Sequence, residues 1–362
     1  MRIIDKYILS KFLSSFALVL ILLLPIAIAI DVAEKVDKFL RHADLSVTEI
    51  MQDYYIHFIV IFGNTFMPLA LFIAVIFFTS KLASNTEIIA IHSAKISFTR
   101  FLKPYFIGAT LVTLLALGMN HFVVPNSNEI FNEFSKKYLK SKKYNENHIT
   151  NINLQLDSND YIYLKSYNLG TKQGQKFSYE KFEGTKLKYK LMAENIRWIE
   201  KDTVFRLNTY KKRFLLEGRD SIEQGIKLDT LLAFMPNDLV NIDDLAKEMT
   251  SIKLYEYIEQ SRKRGVGNLN TYLVELHKRT SLPISTYILT FIAVSLAAKK
   301  RRGGMGINLA IGITLMFVYV FFLKIVEVLG AGAETNAFVM VWLPNIFFGA
   351  LAAYLYFRNA KN

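Results

Sequence analysis

Phe12 to Ile30 reads FLSSFALVLILLLPIAIAI, nineteen consecutive residues without Asp, Glu, Lys or Arg. A helix rises about 1.5 Å per residue, so a run of this length approaches the span of a hydrocarbon core about 30 Å thick. Five further uncharged runs follow: Tyr54 to Ser80, Pro104 to Asn128, Thr280 to Ala298, Gly303 to Leu323 and Thr335 to Phe357. A polar segment of roughly 150 residues divides the six runs three and three. The expected fold class is therefore a polytopic α-helical membrane protein, six transmembrane helices in a 3+3 layout, with one inserted soluble domain.

Composition agrees with that division. The chain has 362 residues, 52% of them hydrophobic, and assigning the apolar runs to lipid leaves soluble matter for about one domain. The expected boundaries are an N-terminal membrane half over 1–128, the insert with its connecting helices over 129–268, and a C-terminal membrane half over 269–362. The net charge of +13 would suggest nucleic acid in a soluble protein. Here the strongest basic cluster, Lys299 to Arg302, sits between two spans and reads as an orientation signal, with no nucleic acid partner expected. Absence of cysteine excludes a disulfide framework, a thiolate metal site and a cysteine nucleophile. Arg2, Lys6 and Lys11 before an apolar run, with Ala27-Ile28-Ala29 beyond, imitate a signal peptide. The 19-residue run exceeds the usual apolar region of about 7 to 15 residues, so it is read as a retained span.

Charge bias fixes the expected orientation. With the N-terminus cytoplasmic, residues 1–11, 81–103, 299–302 and 358–362 share its side, and they carry thirteen cations against two carboxylates. Residues 31–53 hold Lys35, Lys38 and Arg41 against six carboxylates. The positive-inside rule thus puts both termini in the cytoplasm and the insert on the far side.

Within the insert, Ile149 to Leu232 alternates with period two, as in Ile152-Asn153-Leu154-Gln155-Leu156 and Tyr161-Ile162-Tyr163-Leu164. Asp157-Ser158-Asn159-Asp160, Gly170 and Gly184 supply turns. Six to eight antiparallel strands in a sandwich or jelly-roll-like domain are predicted. Such a domain either caps the bundle, or offers an apolar groove to acyl chains or an edge to another β protein. After Pro236 the period becomes helical: Asp243 and Asp244 suit a helix start, Ile252, Tyr255 and Ile258 share a face, and Gly265 and Gly267 stop the run. A second helix is predicted over 269–279, re-entering the membrane at Pro283.

No phosphate loop, HExxH helix or GxSxG elbow is present, and the six histidines include no pair at three- or four-residue spacing, so no catalytic residue, metal ligand or cofactor is expected. Ser84-Asn85-Thr86-Glu87 matches a capping box that would start a helix at Asn85 and carry it to about Lys95. A helix this apolar wants either a partner surface or the inner leaflet. Lys35, Lys38 and Arg41 follow the first span at helical spacing, suited to lipid phosphates or to pairing with Asp31, Glu34 and Asp37. Lys324 and Glu327, three residues apart, are expected to pair, since a lone charge at membrane depth is costly.

Several short motifs recur in one family order: Ile4-Asp5-Lys6-Tyr7-Ile8 with Lys11-Phe12; Asn85-Thr86-Glu87-Ile88-Ile89-Ala90 with Ile96-Ser97 and Pro104; His277-Lys278-Arg279 with Leu282-Pro283; Arg301-Arg302-Gly303-Gly304; and Trp342-Leu343-Pro344-Asn345. Together with the 3+3 layout they resemble the LptF/LptG lipopolysaccharide-transport permeases across essentially the whole chain. The resemblance implies a non-enzymatic half-transporter that pairs with a paralogous permease and is powered by a cytoplasmic ABC ATPase dimer. It would draw lipopolysaccharide from the inner membrane and pass it through its β domain to a periplasmic bridge protein. It also implies an ATPase-coupling helix holding Glu87, Ile88, Ile91 and His92, and by region a lipid-binding set of Lys35, Lys38 and Arg41. The chain departs from the family pattern at Lys95, where glycine is usual, and at His92, where arginine is frequent. Two rival readings are a non-transporting scaffold that presents a periplasmic β domain and an intramembrane lipid enzyme. Co-purification of an ATPase separates the first from a transporter, and loss of a lipid modification on changing the histidines or Glu327 separates the second.

Overall fold

The computed structural model describes residues 3–42, 44–139, 148–157, 159–216, 219–239, 242–263, 268–299 and 304–360. Arg2, Ser158, Gly265, Gly267, Lys300 to Gly303 and Lys361, on which parts of the sequence reading rest, lie outside them. The chain forms two compact units, one holding residues 1–134, 274–330 and 337–362 and the other residues 135–273 and 331–336.

The first unit is helical. Its elements are α1 (Ile3–Phe39), a short α2 (Val47–Glu49) that continues through π-helical Ile50–Tyr55 into α3 (Ile56–Ser84), then α4 (Glu87–Ser93) and α5 (Phe98–Gly118). A second π segment, Met119–Val123, joins α5 to α6 (Val124–Phe134). Later in the chain come α9 (Asn270–Ala297), α10 (Gly304–Gly330) and α11 (Ala337–Ala360), while α7 (Ile242–Glu248) and α8 (Ser251–Lys263) belong to the second unit. Among the described residues, six helical stretches are long and apolar enough to cross a membrane; the first three contain their uncharged runs and the last three overlap theirs. α9 passes Pro283 without a break, so the expected separate helix over 269–279 is the first part of one long span. The carbonyl of Pro283 accepts from Thr286 Oγ1 at 2.7 Å.

Lipid is as apolar as leucine, so association of these helices relies on close packing and hydrogen bonds across helix pairs. Phe12 on α1 is fully buried, edge-on to Phe78 of α3 and Tyr105 of α5 at centroid distances of 6.2 and 6.3 Å. The approach is possible because α5 offers Gly108: a methyl there would stand 2.7 Å from the Phe12 ring. Tyr105 also meets Thr79 of α3 through a 3.0 Å hydroxyl–hydroxyl bond. Asn308 of α10 donates to Ser80 of α3 at 3.1 Å, and Asn345 of α11 donates to Ser281 of α9 at 2.9 Å.

The second unit contains a six-stranded antiparallel sheet in sequence order: β1 (His148–Asp157), β2 (Asp160–Asn168), β3 (Gln173–Glu183), β4 (Lys186–Ile199), β5 (Val204–Leu216) and β6 (Arg219–Thr230). Pairing lapses along one line that crosses every strand, at Asn151, Lys165, Lys176, Glu194, Thr209 and Ile226, apart from separate register shifts at Leu156 and Lys188. Along this crease the strict period of two breaks. Inward residues stand three apart, as Leu164 and Tyr167, Gly174 and Phe177, Ala193 and Ile196, and Leu207 and Tyr210. Asn151, Lys176 and Thr209 hold the bend with φ of 55°, 52° and 52°. Both halves of the creased sheet contribute to one core, with Leu164, Phe177 and Leu191 on one side of the line and Tyr167, Ile196, Phe205 and Leu207 on the other. A sandwich-like interior thus arises from one folded meander, closed by Phe234 and Leu239.

α8 buries Leu254, Ile258 and Ser261. Of the three apolar residues noted at helical spacing, Ile258 is buried whereas Ile252 and Tyr255 are 66% and 57% exposed. The buried stripe runs through positions spaced by four and three, and the extra apolar residues beside it obscured its direction in the sequence.

Candidate functional site

Two regions of the helical unit gather the residues expected to act. The first surrounds α4, between the end of α3 and the start of α5. α3 runs through Ser84, so Ser84 cannot cap a helix starting at Asn85, and the expected capping box does not form. Thr86 instead turns the chain with φ 60°, and α4 begins at Glu87 without a side-chain cap. The Glu87 carboxylate accepts from two other donors, the Asn85 amide at 3.2 Å and the Tyr7 hydroxyl of α1 at 3.0 Å.

At the far end, the Lys95 N–H donates to the carbonyl of His92 at 2.9 Å and Lys95 adopts φ 59°. This is the left-handed stop that glycine normally supplies, and a side chain in that conformation costs roughly 1–2 kcal/mol. Both ends of α4 are therefore strained joints, a feature that recurs at switch regions. The His92 ring shares a 2.9 Å hydrogen bond between Nδ1 and the carbonyl of Ile96, bracing the turn. Two residues after Phe98, Arg100 makes a two-pronged ion pair with buried Asp5 of α1, at 2.7 and 2.8 Å.

The faces of α4 sort its apolar residues. Ile88 is 3% exposed in the bundle core and Ile91 packs against the same core. Ile89 is 53% exposed, and Ala90 and His92 are exposed beside it. Of the four residues expected to face an ATPase, Glu87 and His92 are reachable whereas Ile88 and Ile91 anchor the helix. Ile89, the largest apolar side chain on the open face, escaped the sequence reading because Ile88-Ile89-Ala90-Ile91 shows no period.

The second region lies at the opposite ends of the spans. Lys35 is paired with Asp31 one turn earlier on α1 and also reaches the Tyr54 hydroxyl. Tyr54 and Tyr55 donate to the same carboxylate at 3.0 and 3.4 Å. Phe39, Phe58, Phe131 and Phe134 close around Tyr54. Local pairing thus accounts for Lys35. Lys38 and Arg41 are exposed, and no ion pair holds either among the described residues.

On the neighbouring helices, Lys324 pairs with Glu327 at 2.9 Å as expected, but Lys278 of α9 comes closer, at 2.6 Å. Lys278 and Arg279 both also meet Glu275 at 3.3 Å, which makes a five-residue ionic cluster. Its two cations from α9, Lys278 and Arg279, fall in the His277-Lys278-Arg279 motif, which had suggested no pairing partner.

A family model described as lipopolysaccharide export system permease LptF/LptG matches residues 6–358. No curated protein matches the chain.

Proposed function

Because the chain belongs to the LptF/LptG family of lipopolysaccharide export permeases, a multi-pass group of the inner membrane, we propose that it is the membrane half of an ABC exporter driven by a separate ATPase. The observation that carries the proposal is the division of α4 into an anchored face, Ile88 and Ile91, and an open face, Ile89, Ala90 and His92 with Glu87 at its start. A short helix between two spans, fixed on one side and apolar on the other, suits a nucleotide-driven partner that must push on the bundle.

In this reading both termini and α4 are cytoplasmic and the creased β domain is periplasmic, in keeping with the charge bias of the loops. A paralogous permease completes the membrane unit. Lys38 and Arg41 are the cations free to meet lipid phosphates at the outer face, with Lys35 held back by Asp31 and Tyr54. The glycolipid then rises into the β domain and leaves to a periplasmic bridge protein.

Affinity purification from a mild-detergent extract tests the assembly. A nucleotide-binding protein, a second permease and lipopolysaccharide should co-elute. Recovery of the chain with periplasmic proteins alone would contradict the reading.

A further inference from the structure

We propose that Tyr7 is a positioning residue that ties α4 to α1, so that a displacement of the short helix reaches the first span through a side chain as well as through the backbone. The proposal rests on the reading of α4 as the ATPase contact.

The tie is direct. Tyr7 and Glu87 are 80 residues apart, and the phenol donates to Glu87 Oε2 while Asn85 occupies Oε1. An ionised carboxylate offers about four lone-pair sites, so a cation from the ATPase can join Glu87 without displacing Tyr7. The same hydrogen bond that orients Glu87 for its partner can therefore persist through the cycle.

Its surroundings make the tie mechanically useful. Two residues before Tyr7, buried Asp5 grips Arg100 through both guanidinium prongs. One turn of α1 thus holds the first residue of α4 and the first turn of α5, on either side of the α4 segment. α4 itself lies between the left-handed residues Thr86 and Lys95. A seven-residue helix pivoting on those joints would lose its hydrogen-bonded link to α1 if the Tyr7–Glu87 bond were absent. Further along α1, Ile8 and Phe12 are fully buried in the bundle core, so movement of its first turns reaches the packed interior.

The test uses the assembled exporter in proteoliposomes and reads lipid extracted per ATP hydrolysed. Tyr7→Phe removes only the hydroxyl, so complex recovery and hydrolysis rate should stay near the parent values. Lipid per ATP should fall by about threefold to tenfold, the factor carried by one hydrogen bond. In the Tyr7→Phe/Glu87→Ala double variant, the loss should be no greater than in Glu87→Ala alone, since either change removes the same Tyr7–Glu87 bond. Unchanged lipid per ATP in Tyr7→Phe, or additive losses in the double variant, would overturn the tie. Glu87→Ala separates the two levels. If it impairs recovery or coupling while Tyr7→Phe does not, the ATPase reading of α4 stands and the tie fails. If Glu87→Ala exports normally with full recovery, the reading of α4 itself fails.

Discussion

Lys278 of α9 and Glu327 of α10 meet at 2.6 Å, and the same carboxylate binds Lys324 at 2.9 Å. An ion pair between two membrane helices is favourable only while both partners remain, because the survivor of a broken pair is left poorly solvated. Lys278→Ala should therefore destabilise the protein more than Lys324→Ala. About 1–3 kcal/mol is expected for the first, discounted because Glu327 is partly exposed, and under about 1 kcal/mol for the exposed Lys324. Thermal denaturation in detergent gives the order, and equal effects would contradict the pairing.

Gly108 sets how closely α5 approaches α1. A methyl there would stand 2.7 Å from Phe12, and the ring is confined by Phe78 and Tyr105. Gly108→Val should destabilise by about 1–3 kcal/mol, the usual cost of overpacking. Phe12→Leu in the same chain should recover part of that loss. A melting temperature unchanged by Gly108→Val would show that the helices separate freely.

The crease in the β domain carries stored strain at Thr209, a β-branched residue with φ 52°. Asn tolerates this conformation better. Thr209→Asn should stabilise the domain by about 0.5–1 kcal/mol, whereas Thr209→Val should gain nothing. Denaturant unfolding distinguishes them, and stabilisation by Val would mean the strained conformation is not populated.

The β5–β6 edge should respond to acid. Hydrogen bonds from Lys212 and Tyr210 hold the Glu223 carboxyl below its ordinary value, and those from Arg206 do the same for Asp229. A carboxylate depressed in the folded state contributes stability that is full above its unfolded value and lost as pH falls through the folded one. Both groups are well exposed, so the effect is local and screened by salt. Amide hydrogen exchange should show β6 losing protection, relative to β2 and β3, as pH drops below the normal carboxylate range. Uniform loss across the sheet would contradict this assignment.

The membrane spans were legible because an absence is easy to read: lipid tolerates few charges, and the six runs contain none. The β strands were legible through their alternation, but the crease was not. It is held by Asn151, Lys176 and Thr209 without a glycine, so no residue type announces the positive φ. Lys95 hides a helix stop in the same way. At α4 the local motif misled, since Ser84 is absorbed into α3 and Glu87 is claimed by Tyr7 from a distant part of the chain. The direction of Ile88 against Ile89 depends on which side the bundle lies, and a four-residue apolar run contains no record of that. Lys35 was legible as either a lipid contact or a local pair; the structure shows it paired with Asp31 and adds Tyr54, nineteen residues away, which the sequence did not suggest.

Photocrosslinking from α4 within the working exporter tests the account most directly. A photoreactive amino acid at position 89 should capture the ATPase, and one at position 88 should capture only neighbouring segments of this chain. Capture of the ATPase from 88 and none from 89, in complexes that still export lipid, would contradict the assignment of the open face of α4 to the energy-supplying partner.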